Sequence, residues 1–146
     1  MSTPFRYERA LTIDDAARRL SAPEAAPLGG GTDLLVAIAE EIERPTTLVD
    51  LRGVAGSDGV SELGGGDVRI GASTRIAAIA ANPMVRERYP ALADACDLVG
   101  TPALREMGTL GGNLCQRPRC WYFRRAIPCY KNGGDSCPAA VGENQY

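Results

Sequence analysis

The stretch that decides the fold is APLGGGTDLLVAIAEE, residues 26–41. A short apolar segment that ends at Leu28 is followed by three glycines. Thr32 and Asp33 then begin a run in which apolar residues have helical spacing. Glycine permits tight turns, and Thr or Asp is favoured where a helix begins. The stretch therefore predicts a strand, a tight turn and the first turn of a helix.

The turn formed by Gly29, Gly30 and Gly31 can also hold an anion. Consecutive glycines let backbone N–H groups converge on a concave nest, and the N-terminus of a following helix adds about half a positive charge. Thr32 would add a hydroxyl donor. The pattern is neither the P-loop nor the complete G-x-G-x-x-G fingerprint, so a plain turn whose glycines serve only the backbone geometry remains an open alternative.

A second glycine pair lies in GTLGGN, residues 108–113. Here Thr109 and Asn113 are polar ends around Gly111 and Gly112, and the pattern alone predicts a tight turn. The two glycine turns are about eighty positions apart. Together they could cradle opposite ends of one pyrophosphate, which neither turn would indicate by itself.

The segment before the first glycine turn predicts an amphipathic helix. Thr12 is a good N-cap in LTIDDAARRL, residues 11–20. Ile13, Ala16, Ala17 and Leu20 fall on one face, which we expect to be buried.

The segment after the turn predicts strands. TTLVDL, residues 46–51, reads as a β-branched strand, and the glycine-rich stretch that follows reads as a hairpin with Val68–Ala72 as its second strand. A subdomain boundary is expected near residues 53–60.

Helices are predicted next. One begins with Ser73 or Thr74 as its cap and stops at Asn82–Pro83, and another ends at Gly100. Cys96 lies within the second of these helices and is interpreted as a small core residue.

Composition and charge exclude several classes of function. The 146 residues are 45% hydrophobic and 23% charged, with a net charge of −2. Neither nucleic acid nor a membrane surface is indicated as a partner. The chain has no histidine, which excludes histidine acid–base catalysis and histidine metal ligands. No membrane span or signal peptide is recognisable, so a cytoplasmic location is expected, or a periplasmic one if a partner exports the chain.

Four of the five cysteines crowd into the segment after the second glycine pair. Cys115, Cys120, Cys129 and Cys137 are separated by four, eight and seven residues, which matches neither a zinc knuckle nor the bacterial ferredoxin run. Wide spacing suits a loop wrapped around a four-iron cluster. Structural zinc, or cysteines without any ligand, remain alternatives. Five cations that would offset the charge of a cluster lie among them: Arg117, Arg119, Arg124, Arg125 and Lys131.

These motifs together resemble a known family. PLGGGTDLL, VRIGASTRIAAIA, TPALREMGTLGGNL and the cysteine loop occur in that order. They resemble the FAD-binding (medium) subunit of the molybdenum hydroxylases, the xanthine dehydrogenase and aldehyde oxidoreductase family. The cysteine loop is similar to the branch with an extra 4Fe-4S cluster, which includes periplasmic aldehyde oxidoreductase and 4-hydroxybenzoyl-CoA reductase.

The resemblance implies an α+β fold. This is the two-subdomain FAD-binding fold of the molybdopterin dehydrogenase (PCMH-like) type, with its C-terminal part missing from this chain. Residues 1–55 would form the first subdomain, and residues 56–146 an incomplete second one that includes an iron–sulfur loop at 115–146.

The resemblance also implies site residues and partners. The expected cofactors are FAD and a 4Fe-4S cluster, with molybdopterin only in a partner large subunit and a 2Fe-2S cluster in a small subunit. The cluster ligands would be Cys115 or Cys120, with Cys129 and Cys137. Arg75 lies on a segment that approaches the flavin in relatives. The expected FAD-binding residues are Leu28, Gly29, Gly30, Gly31, Thr32, Asp33, Leu34, Thr74, Thr109, Gly111, Gly112, Asn113 and Leu114.

The function implied is electron transfer rather than acid–base catalysis. Electrons from a molybdenum subunit would pass through iron–sulfur centres to FAD and on to an external acceptor. Because relatives continue beyond the motifs present here, two alternatives are kept. One is a non-catalytic zinc-binding interaction module, and the other is an inactive truncation that binds no flavin.

Overall fold

The computed structural model describes residues 4–142, which form two compact units that divide between Cys115 and Gln116. The strands are β1 Arg6–Arg9, β2 Ala25–Leu28, β3 Thr47–Asp50, β4 Val60–Glu62 and β5 Val68–Ile70. The helices are α1 Ile13–Leu20, α2 Leu34–Ala39, α3 Ile76–Ala81, α4 Pro83–Arg88, α5 Pro90–Asp97, α6 Pro102–Met107, α7 Leu110–Leu114, α8 Trp121–Arg124 and α9 Pro138–Val141.

The first three strands form a parallel sheet in the order β1-β3-β2. Successive residues of β3 point to opposite faces of the sheet. Val49 packs with Ala16 of α1 on one face, and Leu48 packs with Ile38 of α2 on the other. The two helices therefore cover opposite faces, as right-handed crossovers require when the chain first skips a strand and then returns to the centre. The predicted strand, turn and helix around the first glycines are confirmed.

Helix α1 confirms its predicted cap and corrects its predicted face. The Thr12 hydroxyl accepts a hydrogen bond from the N–H of Asp15 at 3.1 Å. Ala16 is buried and Leu20 is half-buried, but Ile13 is 69% exposed and Ala17 is exposed. A sheet of three four-residue strands offers α1 only a narrow contact, so fewer residues are covered than the apolar spacing suggests.

The rest of the first unit is a hairpin followed by a helical cluster. Strands β4 and β5 pair antiparallel as predicted, although β5 ends at Ile70. The helical core is formed by residues of α3, α4 and α5: Ile76, Ile79, Ala80, Val85, Ala93 and Cys96. Cys96 is confirmed as a core residue, and its burial raises the pKa of the thiol.

Two predicted helix boundaries need correction. The N-cap of α3 is Arg75 rather than Ser73 or Thr74, because the hydroxyls of those two residues bond to other groups. Asn82 does end α3 as predicted, but its side chain also accepts the N–H of Val85 at 3.2 Å and begins helix α4, which was not predicted.

The second unit is organised locally around Cys129. The carbonyl oxygen of Cys129 accepts the N–H groups of Asn132 and Gly134, each at 2.8 Å. The side-chain amide of Asn132 donates to the carbonyl oxygen of Phe123 at 2.9 Å. Cys129 is itself buried. These contacts give order to a stretch whose sequence lacks any periodicity. The subdomain division near residue 55 stays a prediction.

None of the helices among the described residues is both long enough and apolar enough to span a membrane.

Candidate functional site

The glycine loop between β2 and α2 is shaped by contacts that only glycine permits. A Cβ on Gly30 would overlap the carbonyl oxygen of Met107 and lie 2.5 Å from its carbonyl carbon. A Cβ on Gly29 would lie 2.6 Å from the Thr109 hydroxyl oxygen. Gly31 has φ +75°, in the left-handed region that favours glycine. The loop is therefore fitted directly against the segment that joins α6 to α7.

The same loop presents a row of backbone donors. Within residues 4–142, the N–H groups of Gly29, Gly30, Gly31 and Thr32 donate to no other group of the chain, and all four residues are half-buried. Half-buried N–H groups without a partner in the chain are open to an external acceptor. Four successive unpaired donors in one loop are what an anionic ligand needs.

The second glycine motif has a different structure from the turn predicted for it. GTLGGN forms the start of helix α7, and the Thr109 hydroxyl caps it by accepting the N–H of Gly112 at 3.2 Å. The N–H of Gly111 donates to Ala72, and the N–H of Asn113 to the Thr109 carbonyl oxygen. Most of the donors of this motif are therefore used within the chain, and its clearest contribution is to pack against the first loop.

Polar side chains of the two motifs converge near Gly108. A Cβ on Gly108 would lie 3.5 Å from the Asn113 amide nitrogen and 3.7 Å from the Thr32 hydroxyl oxygen. The structure thus brings together two motifs that are far apart in sequence. That they hold one pyrophosphate between them stays a prediction.

The other predicted flavin-binding residues lie in varied surroundings. Leu28 is buried and Leu34 half-buried in the core beneath the loop, Asp33 is the N-cap residue of α2, and Leu114 is 77% exposed. Thr74 is 1% exposed, and its hydroxyl both donates to the carbonyl oxygen and accepts the N–H of Gly59. These contacts give Thr74 a structural role, and its assignment to the flavin stays a prediction.

Sequence reasoning missed an ion pair beside the loop. Asp50, at the end of β3, is 2% exposed and accepts hydrogen bonds from Tyr7 and from the guanidinium of Arg52. Burial raises the pKa of this carboxyl, but the bonds from Arg52 and Tyr7 outweigh burial and lower the pKa to about 2. The signal available in the sequence was an acidic residue two positions before a basic one where a strand ends.

A cleft of about 120 Å³ opens beside this pair. Its lining includes Arg52 after β3, Arg75 before α3, Met107 at the end of α6 and Thr109 before α7. Two cations and the segment that supports the glycine loop therefore meet at one place.

The four clustered cysteines are differently exposed. Cys115 is exposed, Cys120 and Cys137 are half-buried, and Cys129 is buried. No three cysteine or carboxylate side chains come together in a metal-holding group within the described part of the chain. The arrangement does not present a preformed cluster or zinc site.

Comparison with known proteins places these features in context. The model of the FAD binding domain in molybdopterin dehydrogenase matches residues 3–121. The aldehyde oxidoreductase FAD-binding subunit of Escherichia coli (strain K12) is 41% identical over 143 residues, which covers 94% of this chain and 44% of the relative. The carbon monoxide dehydrogenase medium chain of Afipia carboxidovorans is 35% identical over 111 residues, covering 75% of this chain and 38% of the relative.

Solved structures agree with the sequence matches. Reconstituted CO dehydrogenase from Oligotropha carboxidovorans has a TM-score of 0.72 at 33% identity and covers 77% of this chain and 40% of that chain. Quinoline 2-oxidoreductase from Pseudomonas putida 86 has a TM-score of 0.72 at 29% identity. The chain spans less than half the length of the curated relatives it matches.

Proposed function

The chain belongs to the family of FAD-binding domains of molybdopterin dehydrogenases, and from this membership we propose that it binds FAD as part of the electron-transfer subunit of a molybdenum-containing hydroxylase. The observation that carries the proposal is the row of unpaired N–H groups from Gly29 to Thr32. Phosphate oxygens are the acceptors that such a row suits, because several weak donors converge on one anionic group.

The residues of the loop fit a dinucleotide. The space that a Cβ would take at Gly29 and Gly30 is filled by Thr109 and Met107. These contacts hold the loop in the shape that leaves its N–H groups without a partner in the described part of the chain. FAD, when bound, supplies the redox chemistry itself, so this chain needs only to bind and orient it. Thr32 and Asn113 add polar side chains where the two motifs meet.

The partners proposed are a large molybdopterin-binding subunit and a small 2Fe-2S subunit. This follows from the names of relatives, among them the carbon monoxide dehydrogenase medium chain and the nicotine 6-hydroxylase medium subunit. The hydroxylase as a whole would oxidise an aldehyde or an aromatic heterocycle. A cytoplasmic location, or a periplasmic one by export with a partner, is part of the same proposal.

Titration of the purified full chain with FAD tests the proposal directly. We expect FAD to bind with a dissociation constant in the micromolar range or below, which corresponds to a binding free energy of about −8 kcal/mol or more negative. FAD should also bind more tightly than riboflavin, which lacks phosphate. Flavin fluorescence or calorimetry measures both. A chain that is folded by circular dichroism yet binds no FAD would contradict the proposal and favour the inactive truncation.

We further propose that the cysteine-rich unit takes up a 4Fe-4S cluster. One support is that four thiols, those of Cys115, Cys120, Cys129 and Cys137, lie within one short segment of the chain. A second support is charge, since residues 116–142 hold five cations and a single carboxylate. Because the described thiols do not already form a group, cluster assembly would have to bring them together, as metal binding commonly does. The zinc-binding module finds no support.

Replacing Cys129 tests this second proposal. Cys129→Ser is expected to lower the iron and sulfide content of anaerobically purified protein from about four per chain to well below one, since each cluster thiolate is a ligand. Cys96→Ser is the matched control, because Cys96 is a buried cysteine of the other unit and its replacement should leave iron unchanged. Equal iron in the wild type and in Cys129→Ser would contradict the assignment.

A further inference from the structure

Arg52 lies at the carboxyl edge of the parallel sheet, next to the glycine loop. Leu28 and Asp50 are partners in the sheet register, and the N–H of Leu51 donates to the Leu28 carbonyl oxygen at 2.9 Å. Gly29, which follows β2, and Arg52, which follows β3, therefore both lie just beyond the same edge of the sheet. In parallel sheets with helices on both faces, this edge is where ligands bind.

Asp50 holds the Arg52 side chain in a fixed orientation. The Asp50 carboxylate accepts the backbone N–H of Arg52 at 3.0 Å, its Nε at 2.9 Å and its Nη2 at 3.0 Å. The Tyr7 hydroxyl donates to the same carboxylate. A two-bond fork of this kind fixes a guanidinium in one plane. Nη1 takes no part in the fork, and the Arg52 side chain is 42% exposed.

The cleft that Arg52 lines shares a wall with the glycine loop. Met107 and Thr109 line the cleft, and they are also the residues against which Gly30 and Gly29 fit. The cleft and the glycine loop therefore adjoin the same two residues, Met107 and Thr109.

Two carboxylates and Ser73 complete the cleft lining. Asp58 and Glu106 are both exposed, and the Asp58 carboxylate accepts the N–H of Gly59 at 2.7 Å. Solvent screens the exposed carboxylates and the exposed arginines of the cleft alike, so the case for an anion rests on the oriented guanidinium and the loop donors and not on net charge.

We propose that Arg52 is a phosphate-binding residue of this chain, and that its guanidinium and the unpaired N–H groups of the glycine loop receive the same diphosphate. Asp50 is the positioning residue that preorganises Arg52. The inference rests on the proposed function, since the diphosphate would be that of FAD. A charge-assisted donor that is already oriented loses little freedom when its ligand binds, and this increases affinity.

Three ligands distinguish this role from a purely structural one. The full chain and its Arg52→Gln variant are titrated with FAD, inorganic pyrophosphate and riboflavin. Arg52→Gln is expected to weaken FAD and pyrophosphate about tenfold or more, the loss typical of one strong charged hydrogen bond. Riboflavin affinity should not change, because riboflavin carries no phosphate. A loss of structure alone would weaken all three.

Two further variants serve as controls. Arg44→Gln removes an exposed arginine that bonds to Glu41 outside the cleft, and it should change no affinity. Arg52→Lys keeps the charge but not the fork and should give an intermediate loss of FAD and pyrophosphate affinity. If Arg52→Gln is unfolded, the FAD and pyrophosphate affinities of Arg52→Lys are compared with those of the wild type instead, and unchanged affinities would overturn the inference.

The outcomes separate this inference from the proposed function. Unchanged FAD affinity in the Arg52 variants overturns the inference and leaves FAD binding standing. Pyrophosphate binding that depends on Arg52, in a chain that binds no FAD, sustains the phosphate site and overturns the flavin proposal. A wild-type chain that binds neither overturns both.

Discussion

Gly30→Ala is expected to weaken flavin binding strongly and to lower the melting temperature of the chain. The new methyl group would overlap the carbonyl oxygen of Met107 and lie 3.0 Å from the Cα of Gly108. Both obstacles are backbone, so a side-chain rotation cannot relieve them. Overpacking of this kind costs about 1–3 kcal/mol. The displaced loop would also lose the alignment of its N–H groups, and we expect FAD affinity to fall at least about a hundredfold.

Gly64→Ala is the matched control for Gly30→Ala. A Cβ on Gly64 would meet nothing within 4 Å, and Gly64 has no positive φ. Its melting temperature and FAD affinity should match those of the wild type. Thermal unfolding and flavin titration of the two variants side by side make the comparison. Wild-type FAD affinity in Gly30→Ala would mean that the loop is not the binding site.

Asp50→Asn is the second substitution with a large expected effect. The neutral amide removes the charge from a buried group that accepts bonds from Arg52 and Tyr7, and its NH₂ group cannot accept them. Hydrogen bonds to charged groups contribute about 1.5–3 kcal/mol each. We expect the free energy of unfolding to fall by about 2–3 kcal/mol, measured by urea denaturation at neutral pH.

The same substitution should change how stability depends on pH. The pKa of Asp50 is about 2 in the folded chain, below the usual aspartate value of 3.8. Its contribution is therefore complete above about pH 4 and is lost as the pH falls through 2. In the wild type this loss adds to acid unfolding. For Asp50→Asn the free energy of unfolding should depend less on pH between pH 4 and pH 2.

Asp97→Asn provides the comparison for Asp50→Asn. Asp97 pairs with Arg86 at 2.7 Å, but both side chains are about half exposed. Exposed pairs contribute about 0–1 kcal/mol, so this variant should lie close to the wild type at every pH. Equal losses in the free energy of unfolding of the two variants would show that burial of Asp50 does not strengthen its ion pair.

Much of the fold could be predicted because its signals are local. Thr12 caps its helix as expected. Its hydroxyl accepts the N–H of Asp15, only three residues later, so the bond needs no distant part of the chain. The Gly31 turn and the hairpin of β4 and β5 follow from turn chemistry in the same way. The two glycines of GTLGGN favour a tight turn in the sequence, but in the structure the Thr109 hydroxyl caps a short helix there.

The remaining features depend on tertiary contacts that no local pattern carries. The Asp50–Arg52 pair becomes significant only because β1 and β2 flank β3 and bury the carboxylate. The contact of Gly30 with Met107 joins residues far apart in sequence. The sequence predicted that the two glycine motifs would act together, but their unequal use of backbone donors follows from packing.

The order β1-β3-β2 also has a consequence for how the chain is made. Strands β1 and β2 do not pair with each other, so neither has a partner until Thr47–Asp50 has emerged from the ribosome. The last strand of this sheet to be synthesised must then enter between the other two, and closing both parallel pairings at once is slow. During synthesis the first fifty residues are thus exposed as unpaired strands, the state in which nascent chains aggregate and chaperones act. The assembly of the glycine loop at the end of β2 therefore waits for the arrival of β3.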